Sequence, residues 1–286
     1  MATSDLLARC TFATPGTTAV CALSGGPDSA ALVALAVQAE LDVTAVHVHH
    51  GLRTSADHDA ETAERIADHL GVPFRRVTIE LEDGPNLEAR ARDARRSELG
   101  LGALTGHTAD DQAETVVLNL LRGAGATGLA AMRPGATHPI LGLRRAETRA
   151  LCDKLDLRPA HDPSNDDPRF RRNRVRHELL RLAADVADRD LTPLLSRTAD
   201  LLRDDDDFLS SLAAQIDPTD AVELAAAPSP VARRAVRRWL TNGTHPPDSA
   251  GVERVLAVAR GETIACDVAG IGRISRSRQR LHLDPA

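Results

Sequence analysis

Six consecutive residues, Ser24-Gly25-Gly26-Pro27-Asp28-Ser29, restrict what this chain can fold into more than any other stretch. They separate a short apolar run, 20–23, from an alanine-rich segment, 28–39, that reads as a helix. A strand, a glycine turn and a helix in that order make a βα unit, with backbone N–H groups and a helix N-terminus converging on one point. The pattern repeats. Residues 41–48, 74–81 and 103–106 read as strands, and 55–70, 86–100 and 108–121 as helices. Ala60, Ala63, Ile66, Ala67 and Leu70 fall at helical spacing, and Gly71 ends that helix. Such alternation predicts an α/β fold: a parallel Rossmann-like sheet with helices on both faces and right-handed crossovers.

The rest of the chain reads differently. A glycine-rich link (Gly123, Gly125, Gly128) leads to Pro139-Ile140-Leu141-Gly142, a helix over 146–155, an irregular polar stretch over 158–172 and a helix over 173–187. Residues 190–242 look helical and amphipathic, 248–260 helical, and 263–268 and 273–283 form a strand pair. This predicts a catalytic domain over 1–188 and a smaller, mostly helical C-terminal domain over 189–286. The 286 residues, 42% of them hydrophobic, suffice for both cores. No stretch approaches the ~18 apolar residues that span a bilayer, and residues 1–15 do not read as a signal peptide. Cys10, Cys21, Cys152 and Cys266 form no C-x-x-C pair, so a reducing cytoplasm is expected, with no membrane partner. Net charge is −6, yet arginines cluster at 90–96, 169–176, 233–238 and 273–280, while Lys154 is the one lysine. Basic faces on an acidic body suit phosphate contacts; each cluster alone is equally a solvated helix face.

In the loop, Gly25 and Gly26 let N–H groups approach an anion, Pro27 completes the candidate ATP-binding turn, and Ser24 and Ser29 can donate from hydroxyls. Asp28 can hold a Mg2+ that bridges phosphates. The segment lacks the G-K-[ST] ending of a Walker loop and has no lysine, so the γ-phosphate is not the obvious group being worked on. A second constellation runs from His107 through Thr108, Asp110, Asp111 and Gln112 to Glu114-Thr115 at the start of the last βα helix. Asp110 and Glu114, four apart, share a helix face at the sheet edge where such folds bind ligands. There they can bind Mg2+, hold an ammonium group or take a proton from an amine, or merely complement the helix dipole. His107 can contact phosphate or a base. His49, at a strand end with His47 and His50, fits nucleotide contact and packing better than zinc, because no Cys or carboxylate cluster accompanies it.

S-G-G-x-D-S after a strand resembles the PP-loop of the N-type ATP pyrophosphatases, whose sheet is of the adenine nucleotide alpha hydrolase type. In that superfamily the loop cradles departing pyrophosphate while AMP is transferred. Further motifs are His47-Val48-His49-His50-Gly51-Leu52-Arg53, Glu88 to Arg95, the stretch His107 to Thr115 with Leu121-Arg122-Gly123, and Asp162-Pro163-Ser164-Asn165 followed by Arg171 to Arg176. Together they resemble the tRNA(Ile)-lysidine synthetases over about residues 18–180; beyond 180 the likeness is architectural. The resemblance implies ATP and Mg2+, tRNA(Ile) with a CAU anticodon, and free L-lysine whose ε-amine displaces AMP from an adenylated cytidine. It further implies Arg92 and Arg95 at the α-phosphate and Asp110 and Glu114 at the lysine amine. Asp111 would support Mg2+ or the helix, and Arg171, Arg172, Arg174 and Arg176 would lie on tRNA. Rival readings are another tRNA-modifying PP-loop enzyme, such as a thiolase, an amidating ligase of the superfamily, and a non-catalytic nucleotide-binding α/β protein. The oligomeric state is open, a homodimer being one option.

Overall fold

The computed structural model describes residues 2–49, 56–79, 90, 94, 97–100, 102–160, 166–241 and 246–285. The chain forms two compact units, Met1–Asp200 and Leu201–Ala286.

In the first unit, β1 (Thr18–Ala22), β2 (Asp42–His49) and β3 (Phe74–Thr78) form a parallel sheet in that order. Cys21 lies opposite Ala45, and Val48 opposite Val77. Helix α1 (Thr3–Leu7) precedes the sheet. Helix α2 (Pro27–Gln38) packs on β1 and β2, and α3 (Ala56–His69) on β2 and β3. Residues 29–36 of α2 are buried on every side. That requires cover beyond the sheet, which comes from Leu151 and Cys152 of a later helix, together with Ile140 and Leu143.

The expected fourth strand shrinks to one parallel bridge between Cys21 and Leu104. Leu104 exchanges bonds with both neighbours on β1, its N–H donating to Val20 O (2.8 Å) and its carbonyl accepting from Ala22 N (2.9 Å). Pairing with β1 ends at that single bridge, and the Thr105 N–H, on the side away from β1, donates to Thr137 O (2.9 Å). Helix α4 (Ala109–Leu121) follows, then α5 (Ala126–Leu129) and α6 (Arg145–Lys154). The expected single helix over 173–187 contains a π-turn: α7 (Arg171–Arg174) continues through Val175–Leu179 in π geometry into α8 (Leu180–Ala187). The helix expected over 86–100 falls largely outside the described residues.

The long α9 (Thr192–Ala214) leads into the second unit. There α10 (Ala221–Ala226), α11 (Ser229–Leu240) and α12 (Ser249–Arg260) enclose a core of Leu224, Val236, Leu240, Val255 and Leu256 with Ile274 and Leu281 of a sheet. That sheet corrects the expected strand pair. Three antiparallel strands are present, β4 (Ala265–Val268), β5 (Gly272–Ser277) and β6 (Arg280–Pro285). The stretch read as one strand folds back at Arg278 and Gln279, whose φ angles are +46° and +65°. Two left-handed residues make the two-residue turn whose twist suits a hairpin, here built without the usual Asn or Gly.

Candidate active site

Gly25 sits at φ +89°, and a Cβ on it would stand 2.9 Å from Asp59 O on α3. Both the conformation and the space there demand glycine. The loop is braced from within. Ser29 Oγ donates to Gly26 O (2.8 Å) and accepts from Ser24 N (3.2 Å), while Ser24 Oγ lies 3.1 Å away. Gly25 O accepts from Ala160 N, and His47 Nδ1 donates to Leu23 O at the loop's entry (2.8 Å). His49 is buried at the end of β2. Pro27 is the first residue of α2, as N-terminal helix chemistry favours.

Gly106 joins the loop to the second constellation. A Cβ there would meet Asp28 C and O at 2.8 Å, so the chain entering α4 lies against the first turn of α2. At the start of α4, the Thr108 N–H and hydroxyl both donate to Asp111 (2.9 Å each), a capping box with Asp in the usual Glu position.

Five carboxylates then meet four guanidinium groups. Arg145, first residue of α6, donates to Asp28 (3.3 Å), Asp111 (2.8 Å) and Glu114 (3.2 Å). Glu114, only 1% exposed, also accepts from Arg172 (2.7 Å) and Arg176 (2.6 Å). Asp110 accepts from Arg144 (3.1 Å) and from Arg145 N (2.8 Å), and Arg144 reaches on to Asp190 (2.5 Å). Asp28 also accepts from the Thr148 hydroxyl. Burial raises the Asp28 pKa above its ordinary value, against the lowering pull of Thr148 and Arg145. Burial works on Asp111 too, but Arg145, Arg172 and the Thr108 N–H outweigh it and hold Asp111 below the usual range.

Asp110, Asp111, Glu114 and Asp28 thus lie together, as do the loop residues. His107 stands beside Asp111 with its Nδ1 2.9 Å from Thr105 Oγ1. The arginines of 171–176 divide. Arg172 and Arg176, expected on tRNA phosphates, turn inward onto Glu114, whose buried charge requires compensation. Arg174 pairs with Glu178 (3.0 Å), and Arg171 is exposed with no acidic partner among the described residues. Arg92, Arg95 and the 162–165 motif lie outside the described residues.

Sequence reasoning missed Arg144, Arg145, Thr148, Asp190 and His138. A signal existed for the first two: arginines at a helix N-terminus oppose the helix dipole, so something other than helix stability keeps them there. A cleft of about 180 Å³ is lined by Asp110, Glu114 and Asp190, by Arg145, Arg176 and Arg181, and by the apolar Leu180, Ala184 and Leu191.

A glycine loop between a strand and a helix of a parallel sheet, joined to a ring of carboxylates, marks a PP-loop domain; the PP-loop domain family matches residues 6–183. The TilS substrate binding domain matches residues 220–282. A tRNA(Ile)-lysidine synthase of Nocardia farcinica is 45% identical over 235 residues, 77% of this chain and 74% of its own length. One from Cutibacterium acnes is 36% identical over 281 residues, 91% of this chain and 89% of its own. The chain belongs to the tRNA(Ile)-lysidine synthase family. Among solved structures, the U34-tRNA thiolase NcsA of Methanococcus maripaludis shares the fold, with a TM-score of 0.56 at 17% identity over 70% of this chain and 78% of that one.

Proposed function

We propose that this chain adenylates the wobble cytidine of a tRNA(Ile) with a CAU anticodon and transfers free L-lysine to it, yielding lysidine, AMP and pyrophosphate. The observation that carries this reading is Arg145. One guanidinium touches Asp28 of the loop and Asp111 and Glu114 of the second constellation, so the phosphate cradle and the acidic helix face serve one reaction centre.

Adenylation answers a chemical need, because a ring carbonyl oxygen leaves poorly and AMP leaves well. N–H groups of the loop and the N-terminus of α2 supply fixed positive potential where charge accumulates on pyrophosphate. Asp28 and Asp111 also fit Mg2+. Their oxygens share one guanidinium, and among the described residues no three His, Cys, Asp or Glu side chains are arranged to hold a metal ion together. A site of one or two carboxylates suits an ion that keeps most of its waters. Bound there, Mg2+ would neutralise phosphate charge. Arg92 and Arg95 are assigned to the α-phosphate and His49 and His107 to ATP.

The cleft beside Glu114 suits a lysine side chain, with carboxylates for the ammonium and Leu180, Ala184 and Leu191 for the methylenes. Asp110 and Glu114 are assigned to hold that amine and accept its proton. Arg171 and Arg174 remain for tRNA phosphate. Catalysis is assigned to residues 1–188 and tRNA binding to 189–286, acting in the cytoplasm. A thiolase reading is disfavoured, because burial pushes the thiols of Cys21 and Cys152 up to about 12, far from thiolate at neutral pH.

Incorporation of labelled lysine into this tRNA, with ATP and Mg2+, tests the reading. Wild type should incorporate and Asp28→Ala should not. Pyrophosphate release without lysine transfer would keep adenylation and discard lysine as the nucleophile.

A further inference from the structure

Arg181 has no role in the reaction so far, yet it lines the cleft beside Glu114 together with Leu180 and Ala184 of α8. The other two arginines of that cleft are already engaged. Arg145 and Arg176 donate to Glu114 at 3.2 and 2.6 Å. Arg181 is exposed and makes no hydrogen bond or ion pair among the described residues, not even with Asp185 one turn further on. The π-turn over Val175–Leu179 helps to bring it there. Its i to i+5 bonding winds the chain more slowly than an α-helix, so Arg181 comes round closer to the face of Arg176.

The charges around the cleft show what an amino acid would still need. With all groups ionised, five carboxylates and the four guanidinium groups bonded to them leave one negative charge uncompensated. An incoming ammonium balances it. Free lysine also brings a carboxylate, which those same carboxylates repel. That group requires a cation outside the bonded cluster, and Arg181 is the one that the cleft presents. The spacing agrees. Arg176 marks the Glu114 end, and Arg181 lies five positions on, about 7 Å along a helix axis. An extended lysine has a similar length between its ε-nitrogen and its carboxylate.

We propose that Arg181 binds the α-carboxylate of the incoming amino acid, so that the cleft selects a free amino acid over an amide or a simple diamine. This rests on the reading of lysine as the nucleophile. A guanidinium can hold a carboxylate through two parallel N–H bonds, which fixes the orientation of the amino acid as well as its place.

The test uses the full chain with ATP, Mg2+ and a tRNA(Ile) of CAU anticodon, and reads the modified nucleoside by mass. L-lysine and L-lysinamide are the two amines. Lysinamide keeps both amino groups and the side chain and loses the carboxylate. Wild type should favour lysine in kcat/KM roughly five- to thirtyfold, below the full span for hydrogen-bonded charges because Arg181 is exposed. Arg181→Gln should raise the KM for lysine by a similar factor and erase the preference, with the KM values for ATP and tRNA unchanged. Arg181→Lys should restore part of it. Melts should find both variants as stable as wild type. No preference in wild type, or one that survives in Arg181→Gln, would overturn the proposal alone. A KM for tRNA that rises with a shallower salt slope, at an unchanged KM for lysine, would put Arg181 on phosphate and overturn it too. Wild type that releases pyrophosphate yet transfers neither amine would overturn lysine as the nucleophile, and the proposal with it.

Discussion

Replacing Arg145 with methionine removes one cation from three carboxylates that differ in what they have left. Glu114 keeps Arg172 and Arg176, and Asp111 keeps Arg172 and Thr108. Asp28 keeps only the Thr148 hydroxyl among the contacts described. The cost therefore concentrates on Asp28. Stripping the partner from a buried ion pair costs about 3–5 kcal/mol. The Asp28 side chain is 22% exposed and its contact with Arg145 is 3.3 Å long, so the lower end is discounted to about 2–3 kcal/mol. The sign of the pH dependence follows from the raised Asp28 pKa. A carboxylate whose folded pKa exceeds its unfolded one opposes folding above the folded value and not below the unfolded one. Without Arg145 the Asp28 pKa climbs further. The stability deficit of Arg145→Met should be full near neutral pH and should shrink as pH falls through that raised value toward the ordinary carboxylate range. Urea unfolding near neutrality and at about pH 5 measures this, with wild type alongside. Adding Asp28→Asn to Arg145→Met should recover most of the loss at neutral pH. A deficit that does not change with pH, or a double variant no more stable than Arg145→Met, would refute the placing of the cost at Asp28.

Other outcomes follow from the same geometry. Gly106→Ala places a methyl 2.8 Å from the Asp28 backbone and should cost about 1–3 kcal/mol of stability while depressing pyrophosphate release, as melts and assays would show. Arg171→Ala should lower the salt slope of tRNA binding by about 0.7–0.9, whereas an unchanged slope would remove Arg171 from the tRNA contacts. Thiol alkylation under native conditions should spare lysine incorporation, since Cys21 and Cys152 are buried with pKa values near 12; inactivation tracking modification of either would contradict the exclusion of sulfur chemistry.

What the sequence reveals is what lies close along the chain. The PP-loop was legible because its glycines, proline and serines do their work within six residues of one another. The start of α4 was legible because Thr108 and Asp111 cap within one turn. The ring of arginines was not. Arg145 meets Asp28 across 117 positions, and nothing local announces that pairing. The inward turn of Arg172 and Arg176 was equally hidden, since it depends on a carboxylate 58 and 62 positions away. The fourth strand was overread because its short hydrophobic pattern does not show that pairing with β1 ends at the one Cys21–Leu104 bridge. The last hairpin was missed because Arg278 and Gln279 adopt a turn that neither residue type advertises.

The cations at this site share one further property. Arg144, Arg145, Arg172 and Arg176 are guanidinium groups, which stay protonated and make poor nucleophiles. The only side-chain amine in the protein, Lys154, sits at the far end of α6 from Arg145, its Nζ 3.5 Å from Thr3 Oγ1. On the proposed reaction, an activated cytidine at this site would be surrounded by positive charge that cannot attack it. If free lysine is the nucleophile as proposed, no ε-amine among these four guanidinium groups competes with it, and the protein is protected from labelling itself.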